Sequence, residues 1–364
     1  MKHESPRGSS HDEALTASRM RVERDVRAYN RTAQREGWSD GLPMLPPTED
    51  AVRDLLAATP YGASDVIGSL APKRRDCTVE LAAINAAMAG VEPVGFPYVV
   101  AALEAMCEET FSLPGVVTTT GSVAPMLIIN GPRRDRSGVD YRDGCMGGAA
   151  SSGSATIGRA VMLCLRNVGG QLVGDTSRSV FGQPARSSGL CFGEWEEESP
   201  WPSLAEQRGF SADDDVVTVH GGMGSHAMAD INCDDERDLL MLLAKSISFP
   251  LGNKFLAPTA GKGETVLALN PKWAQRFGRV FPDIAECQSF LHAHAWQPIE
   301  LWPQSGRDIL ERKGRVDPGG RVRLNDRPEQ IVLVVCGGLG SLHAVALPSW
   351  SDSESVTWKV LHRE

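Results

Sequence analysis

The apolar positions of this chain fall into blocks of two kinds. Short continuous runs, such as 265–269 (TVLAL) and 331–335 (IVLVV), suit strands buried on both faces, whereas longer stretches with apolar residues three and four apart suit helices. Arg19 to Arg35 is amphipathic. Thr48 stands where it can cap a helix whose first turn carries Glu49 and Asp50, and Pro46 and Pro47 forbid helix immediately upstream. Residues 80–109 read as a helical hairpin broken at Gly90 to Pro97, with small residues at 82, 83, 86 and 87 that permit close packing. VVTTTGSVAPMLIINGP, 116–132, contains two strand-like runs, the second stopped by Asn130-Gly131-Pro132.

TVLALNPKWAQRF and IVLVVCGGLGSLHAV repeat that grammar of apolar strand and abrupt Gly, Asn or Pro stop. The predicted fold class is therefore α/β, a layered sheet with flanking helices and Gly-rich loops at the strand ends, where a site is expected. Residues 1–18 read as a disordered leader, 19–115 as a mainly helical N-terminal region, and 116–364 as an α/β body, continuous with that region or separate from it. Residues 305–329, charged and Gly-rich, read as a long connection. No fixed period appears, which argues against a solenoid.

With 37 basic against 46 acidic residues the net charge is -9, which argues against nucleic acid or an anionic membrane as partner; Lys73-Arg74-Arg75 and Arg133-Arg134 are too local to change this. No apolar run reaches the roughly 18 residues of a membrane span, and the polar start lacks the apolar centre of a secretory signal, so a cytoplasmic location is expected. Eight cysteines, at 77, 107, 145, 164, 191, 233, 287 and 336, form no CxxC pair and read as reduced thiols. Cys107 and Cys164 sit in apolar helical patterns and read as core.

The richest stretch chemically is 143–170, where Cys145 and a Gly and Ser run lead into a helical segment. Amides of Gly144, Gly147 and Gly148, hydroxyls of Ser154 and Thr156, the Arg159 guanidinium one turn later and Asn130 at the preceding strand end would bind a small anionic substrate. Cys145, held as thiolate near a helix start, is the candidate nucleophile, and His226 the candidate proton shuttle. A plain Gly-rich turn with Ser154 as cap and Cys145 as a buried hydrophobe is the competing reading. The stretch fits no phosphate-loop motif. His220, His226 and Cys233, around a Gly-rich turn, are candidate ligands for a transition metal, zinc, copper or iron, although their spacing matches no standard motif and structural histidines are the commoner case. His292 and His294 share a side only on a strand. Glu194 to Pro202 reads as a solvated acidic turn with a Trp anchor or a lid. Cys336, at a predicted strand end before His343, reads either as core or as half of a thiolate–imidazole pair.

DGLPMLPPT, ELAAINAAMAGVEPVGFPYVVAALEAM, APMLIINGP, TIGRAVMLCLRNVGG, ESPWPSL and IVLVVCGGLGSLHAV occur in this order. The series resembles the large proteins of the bacterial UGSC-type selenoprotein group, named for a Sec-Gly-Ser-Cys motif in a companion domain, over roughly residues 37–350. The resemblance implies thiol or selenol chemistry and a thiol or selenol partner protein. This chain carries no UGSC or CGSC string; its closest text is Cys336-Gly337-Gly338. After the NGP turn it has Asp143-Gly144-Cys145-Met146-Gly147-Gly148 where such proteins tend to be Asn- and Gly-rich. The expectation is an enzyme of thiol-dependent sulfur or group transfer, C–S or redox chemistry. The alternatives are a metal-assisted lyase or hydrolase using His220 and His226, and a non-catalytic large subunit that presents a substrate to a thiol or selenol protein. A homo-oligomer is left open.

Overall fold

The structure, a computed structural model, describes residues 14–147, 150–248, 262–340, 342–350 and 353–363. Most of the expected leader lies outside them, but Thr16 and Ala17 are tied down: their backbone N–H groups donate to the Glu80 carboxylate at 2.9 and 3.0 Å. Helices α1 (Val26–Arg35) and α2 (Glu49–Leu56) follow, the second capped by Thr48, whose hydroxyl accepts from the Ala51 N–H. The hairpin β1 (Val66–Leu70) and β2 (Arg75–Thr78) leads into α3 (Val79–Ala89) and α4 (Phe96–Met106), the helical pair predicted from the small-residue pattern. Of the two strand-like runs after it, the first ends in a helix, α5 (Leu113–Thr118), because Pro114 favours a helix start and Val116 and Val117 find buried partners. The second is β3 (Ala124–Asn130).

The chain continues through α6 (Gly153–Asn167), α7 (Ala185–Ser188), β4 (Leu190–Gly193), α8 (Leu204–Gln207), β5 (Val216–Gly222), β6 (His226–Ala229) and α9 (Glu236–Ile247). Next come β7 (Thr265–Leu269), α10 (Pro271–Val280), α11 (Ile284–His294), β8 (Trp296–Pro298), α12 (Gln304–Arg312) and β9 (Arg321–Arg323). Three strands close the chain: β10 (Ile331–Val335), β11 (His343–Pro348) and β12 (Val356–Lys359). The expected long connection at 305–329 thus holds a helix and a strand. Cys107 caps α4 and is exposed rather than core, whereas Cys164 is buried as expected.

Among the described residues two four-stranded sheets form, in the orders β12-β5-β3-β4 and β10-β7-β11-β6. Each contains one parallel pair, β3 with β4 and β10 with β7; the other neighbours are antiparallel. Alternation along the strands assigns the faces. Leu127, Ile129, Val217 and Val219 pack with α3, α4 and α6, while Leu267, Leu269, Leu333 and Val335 pack with α9, α10 and α11. The intervening residues, Met126, Ile128 and Phe192 from one sheet and Val266, Ala268, Val332, Val334 and Leu347 from the other, share a third apolar layer. The architecture is helices, sheet, sheet, helices. At one corner the backbone joins the sheets, with Met223 N–H donating to Pro348 O at 2.8 Å and Trp350 N–H to Gly221 O at 2.9 Å.

Phe192, fully buried between the sheets, should on substitution F192A cost about 3–5 kcal/mol by denaturant unfolding. F181A, at a side chain 95% exposed, should stay within about 0.5 kcal/mol of the parent. Equal losses would contradict this layering.

Candidate functional site

The loop from β3 to α6 is held by its own polar groups. Asp140 donates its N–H to the Ser154 hydroxyl at 2.8 Å, receives the Ser151 N–H on its carboxylate at 3.0 Å, and accepts the Gly193 N–H on its carbonyl at 2.9 Å. These bonds fix the segment before Cys145, which then turns tightly, Cys145 N–H donating to Arg142 O at 3.1 Å. The loop after β10 closes on it from the other sheet. Gly337, in the left-handed region at φ 88, donates its N–H to Tyr141 O at 2.8 Å. Gly338 lies so near the Asp143 carboxylate that a Cβ there would collide with it. Asn270, at the end of β7, caps α10 through Trp273 N–H and faces the same loop. The parallel strands β7 and β10 thus deliver their C-terminal ends to a loop from the first sheet.

Where the loops meet, the thiols of Cys145 and Cys336 face one another within hydrogen-bonding reach. The bond between them, helped by the Gly337 N–H, holds Cys145 below the ordinary thiol range, against burial and the nearby Asp140 charge. Cys336 is driven well above that range by the same bond, by burial, and by the charges of Cys145 and Glu194. The two thiols are therefore unequal. Cys145 is 5% exposed and stands between two cavities, of about 430 and 460 Å³. Asp140, Ser154 and Cys191 line the first; Asn270, Cys336 and His343 line the second. A second thiol contact, Cys77 with Cys164, lies wholly buried in the helical core, where Cys164 is pushed well above its ordinary value.

Behind Cys336 lies a buried carboxyl. Glu194 Oε2 accepts the Asn130 amide at 2.6 Å and the Leu204 N–H at 2.8 Å. Burial is the largest influence and pushes Glu194 up to about 7 in spite of those donors, with Glu196 adding to the rise. Glu196 and Glu197 are paired to Arg134, so EWEEESP is part buried network rather than a solvated turn or a lid. Trp201 anchors it, its indole N–H donating to Phe281 O at 2.9 Å.

The expected site residues separate into two groups. Gly144, Gly147, Cys145 and Ser154 line the cavities together; Gly148 lies outside the described residues. Ser154 is not a free ligand: its N–H donates to Gly138 O at 3.3 Å and its hydroxyl accepts from Asp140, so the helix start is partly spent on its own loop. Thr156 bonds back to Ser152 O at 2.9 Å, and Asn130 serves Glu194 and Glu196. Arg159 is not at the cavities, because Asp40 takes its fork at 2.8 and 2.9 Å. His220 is an inter-sheet staple: Nε2 faces Leu347 O at 2.9 Å and must carry the hydrogen, while Nδ1 meets the Ser355 hydroxyl at 3.0 Å. Both ring nitrogens are engaged, which removes it from the expected metal set. Cys233 donates its thiol to Asp235 O at 3.2 Å, and among the described residues no group of three or more His, Cys, Asp or Glu is placed to hold a metal ion.

His226 lies on the edge strand β6; the wall of the first cavity includes Gly224 and Ser225 but not His226. The imidazole on a cavity wall with both thiols is His343. His292 and His294 lie on α11 and diverge, His292 bonding Asn325 O at 3.0 Å. Cys336 and His343 carried a signal in the CGG turn at a strand end. Glu194 carried none, since burial among three further acidic residues is not legible in composition. No helix among the described residues is long and apolar enough to cross a membrane. No protein-family model matches the chain, and no curated protein matches it either.

Alkylation of Cys145, followed against pH by mass spectrometry, should show a midpoint below the ordinary thiol value, and C336A should move it upward by removing the donor. A midpoint indifferent to C336A would discard the thiol–thiol bond as its cause. For Glu194 the folded state favours the protonated form. Its contribution to stability is therefore full below its ordinary value of 4.5, declines as pH rises, and levels off above about 7. E194Q should flatten the stability profile across that window in denaturant melts; an unchanged slope would count against the burial argument.

Proposed function

We propose that this protein is a thiol-dependent redox enzyme acting on a small disulfide-type substrate, with Cys145 as the attacking thiolate and Cys336 as the resolving thiol. The observation that carries the reading is the meeting of two thiols, one from each sheet, on the wall of one cavity and beside a second; the lowering of Cys145 and the raising of Cys336 agree with an attacking and a resolving role. The cavity sizes and the 5% exposure of Cys145 favour a small molecule over a bulky protein disulfide.

In the first step Cys145 sulfur forms a bond to one substrate sulfur, the substrate S–S bond breaks, and the second substrate sulfur leaves as thiolate. His343, on the cavity wall, is the group placed to protonate it. Cys336 then loses its proton to the remaining leaving group and attacks Cys145 sulfur. The products are a Cys145–Cys336 disulfide and two substrate thiols, so the substrate gains two electrons and the protein dithiol loses two. A thiol or selenol partner protein, the class implied by the UGSC-type resemblance, resets the pair by exchange.

Anaerobic treatment with hydroxyethyl disulfide should convert Cys145 and Cys336 to a mutual disulfide, found by non-reducing peptide mapping. C336S should instead trap a mixed disulfide on Cys145, and C145S should lose at least about 99% of the exchange rate, the loss expected of an essential nucleophile. Oxidation confined to Cys77 and Cys164, or full exchange by C145S, would sink the proposal.

A further inference from the structure

Across α7 from the thiol cavities lies a third cavity, of about 600 Å³, walled by α6 and the 171–187 segment. It shares Gln183 and Pro184 with the first of them. Two half-buried guanidiniums line it, Arg166 and Arg186. Other part-buried arginines among the described residues meet a carboxylate, such as Arg134 with Glu196, Arg159 with Asp40, Arg208 with Glu264 and Arg276 with Glu236, whereas Arg307 is taken up by the carbonyls of Trp302 and Glu300.

Arg166 and Arg186 form no ion pair among the described residues. Arg186 donates to Val123 O at 3.1 Å and to the Ser177 hydroxyl, both neutral acceptors. Arg166 reaches Gly37 O at 3.4 Å, and its buried Nε has no partner. The carboxylate on the cavity wall, Asp40, is already held on both oxygens by Arg159. Burial pulls Arg186 below its ordinary value with no opposing charge to restore it. Enclosing cations without a counter-charge is costly, and an incoming oxyanion removes that cost through charge-assisted bonds to the planar forks. At the rim, Val173, Val180 and Phe181 are 79%, 69% and 95% exposed, an apolar surface beside the charge.

We infer that this cavity binds a small molecule carrying a carboxylate or phosphate on an apolar body, with the oxyanion on Arg166 and Arg186 and the apolar part against Phe181. The inference rests on uncompensated charge and cavity shape, independently of the thiol pair. It also relocates the anion recognition expected at Arg159.

The test is isothermal titration calorimetry of the full chain at low salt with phenyl phosphate and with phenylacetate as separate probes. At least one should bind, the tighter naming the oxyanion, and R166Q and R186Q should each weaken it by on the order of tenfold or more. C145S should bind as the parent does, which keeps this result separate from any failure of the thiol mechanism. Because R186Q also surrenders bonds to Val123 and Ser177, its fold is checked by circular dichroism; if it does not fold, R166Q, which gives up one long bond, decides. Absence of heat with both probes, undiminished binding by R166Q, or loss of binding in C145S would each overturn the assignment.

Discussion

The apolar layer between the two sheets is the constraint on which the rest of the structure depends. Each sheet is apolar on both faces, so neither can be solvated on either side without exposing strand residues that are essentially fully buried. Helices cover the outer faces, and the inner faces can be satisfied only by each other. That contact sets the relation of the two halves, and His220 adds a directional element to an otherwise non-directional layer by bonding from β5 to the carbonyl of Leu347 on β11.

From this packing follows the meeting of Cys145 and Cys336. One thiol sits in a loop leaving the first sheet and the other at the end of a strand of the second, and neither half contains both. Their inequality is likewise a product of the packing. The two thiols can meet because Gly337 turns in a conformation that other residues rarely adopt and Gly338 leaves room for Asp143. A hydrogen bond shared between buried thiols favours the thiolate on one and the protonated form on the other.

Several enclosed charges are neutralised within the chain. Asp40 consumes Arg159, and Glu196 and Glu197 consume Arg134. Glu194, lacking a cation of its own, is satisfied by an amide and a backbone N–H and responds by favouring its protonated form. Arg166 and Arg186, by contrast, meet only neutral acceptors among the described residues. Their enclosure therefore carries more functional information than the exposed charges do.

Where the sequence was decisive, the physics was local. Thr48 before Glu49, the small-residue face of residues 80–109, and the Asn270-Pro271 stop each act within a few residues, and the α/β class with Gly-rich strand ends followed from them. Cys145 and its glycines were legible for the same reason. The first part of VVTTT misled because tertiary burial of Val116 and Val117 outweighed β propensity. Arg159, His220 and Asn130 misled because a polar side chain reads identically whether its partner is a substrate or a distant residue of the same chain. Only the tertiary structure could decide that Asp40, Leu347 O and Glu194 already occupied them, or that Cys336 faced Cys145. Those partners lie far away in sequence, and proximity across two packed sheets leaves no periodic or compositional trace in either segment.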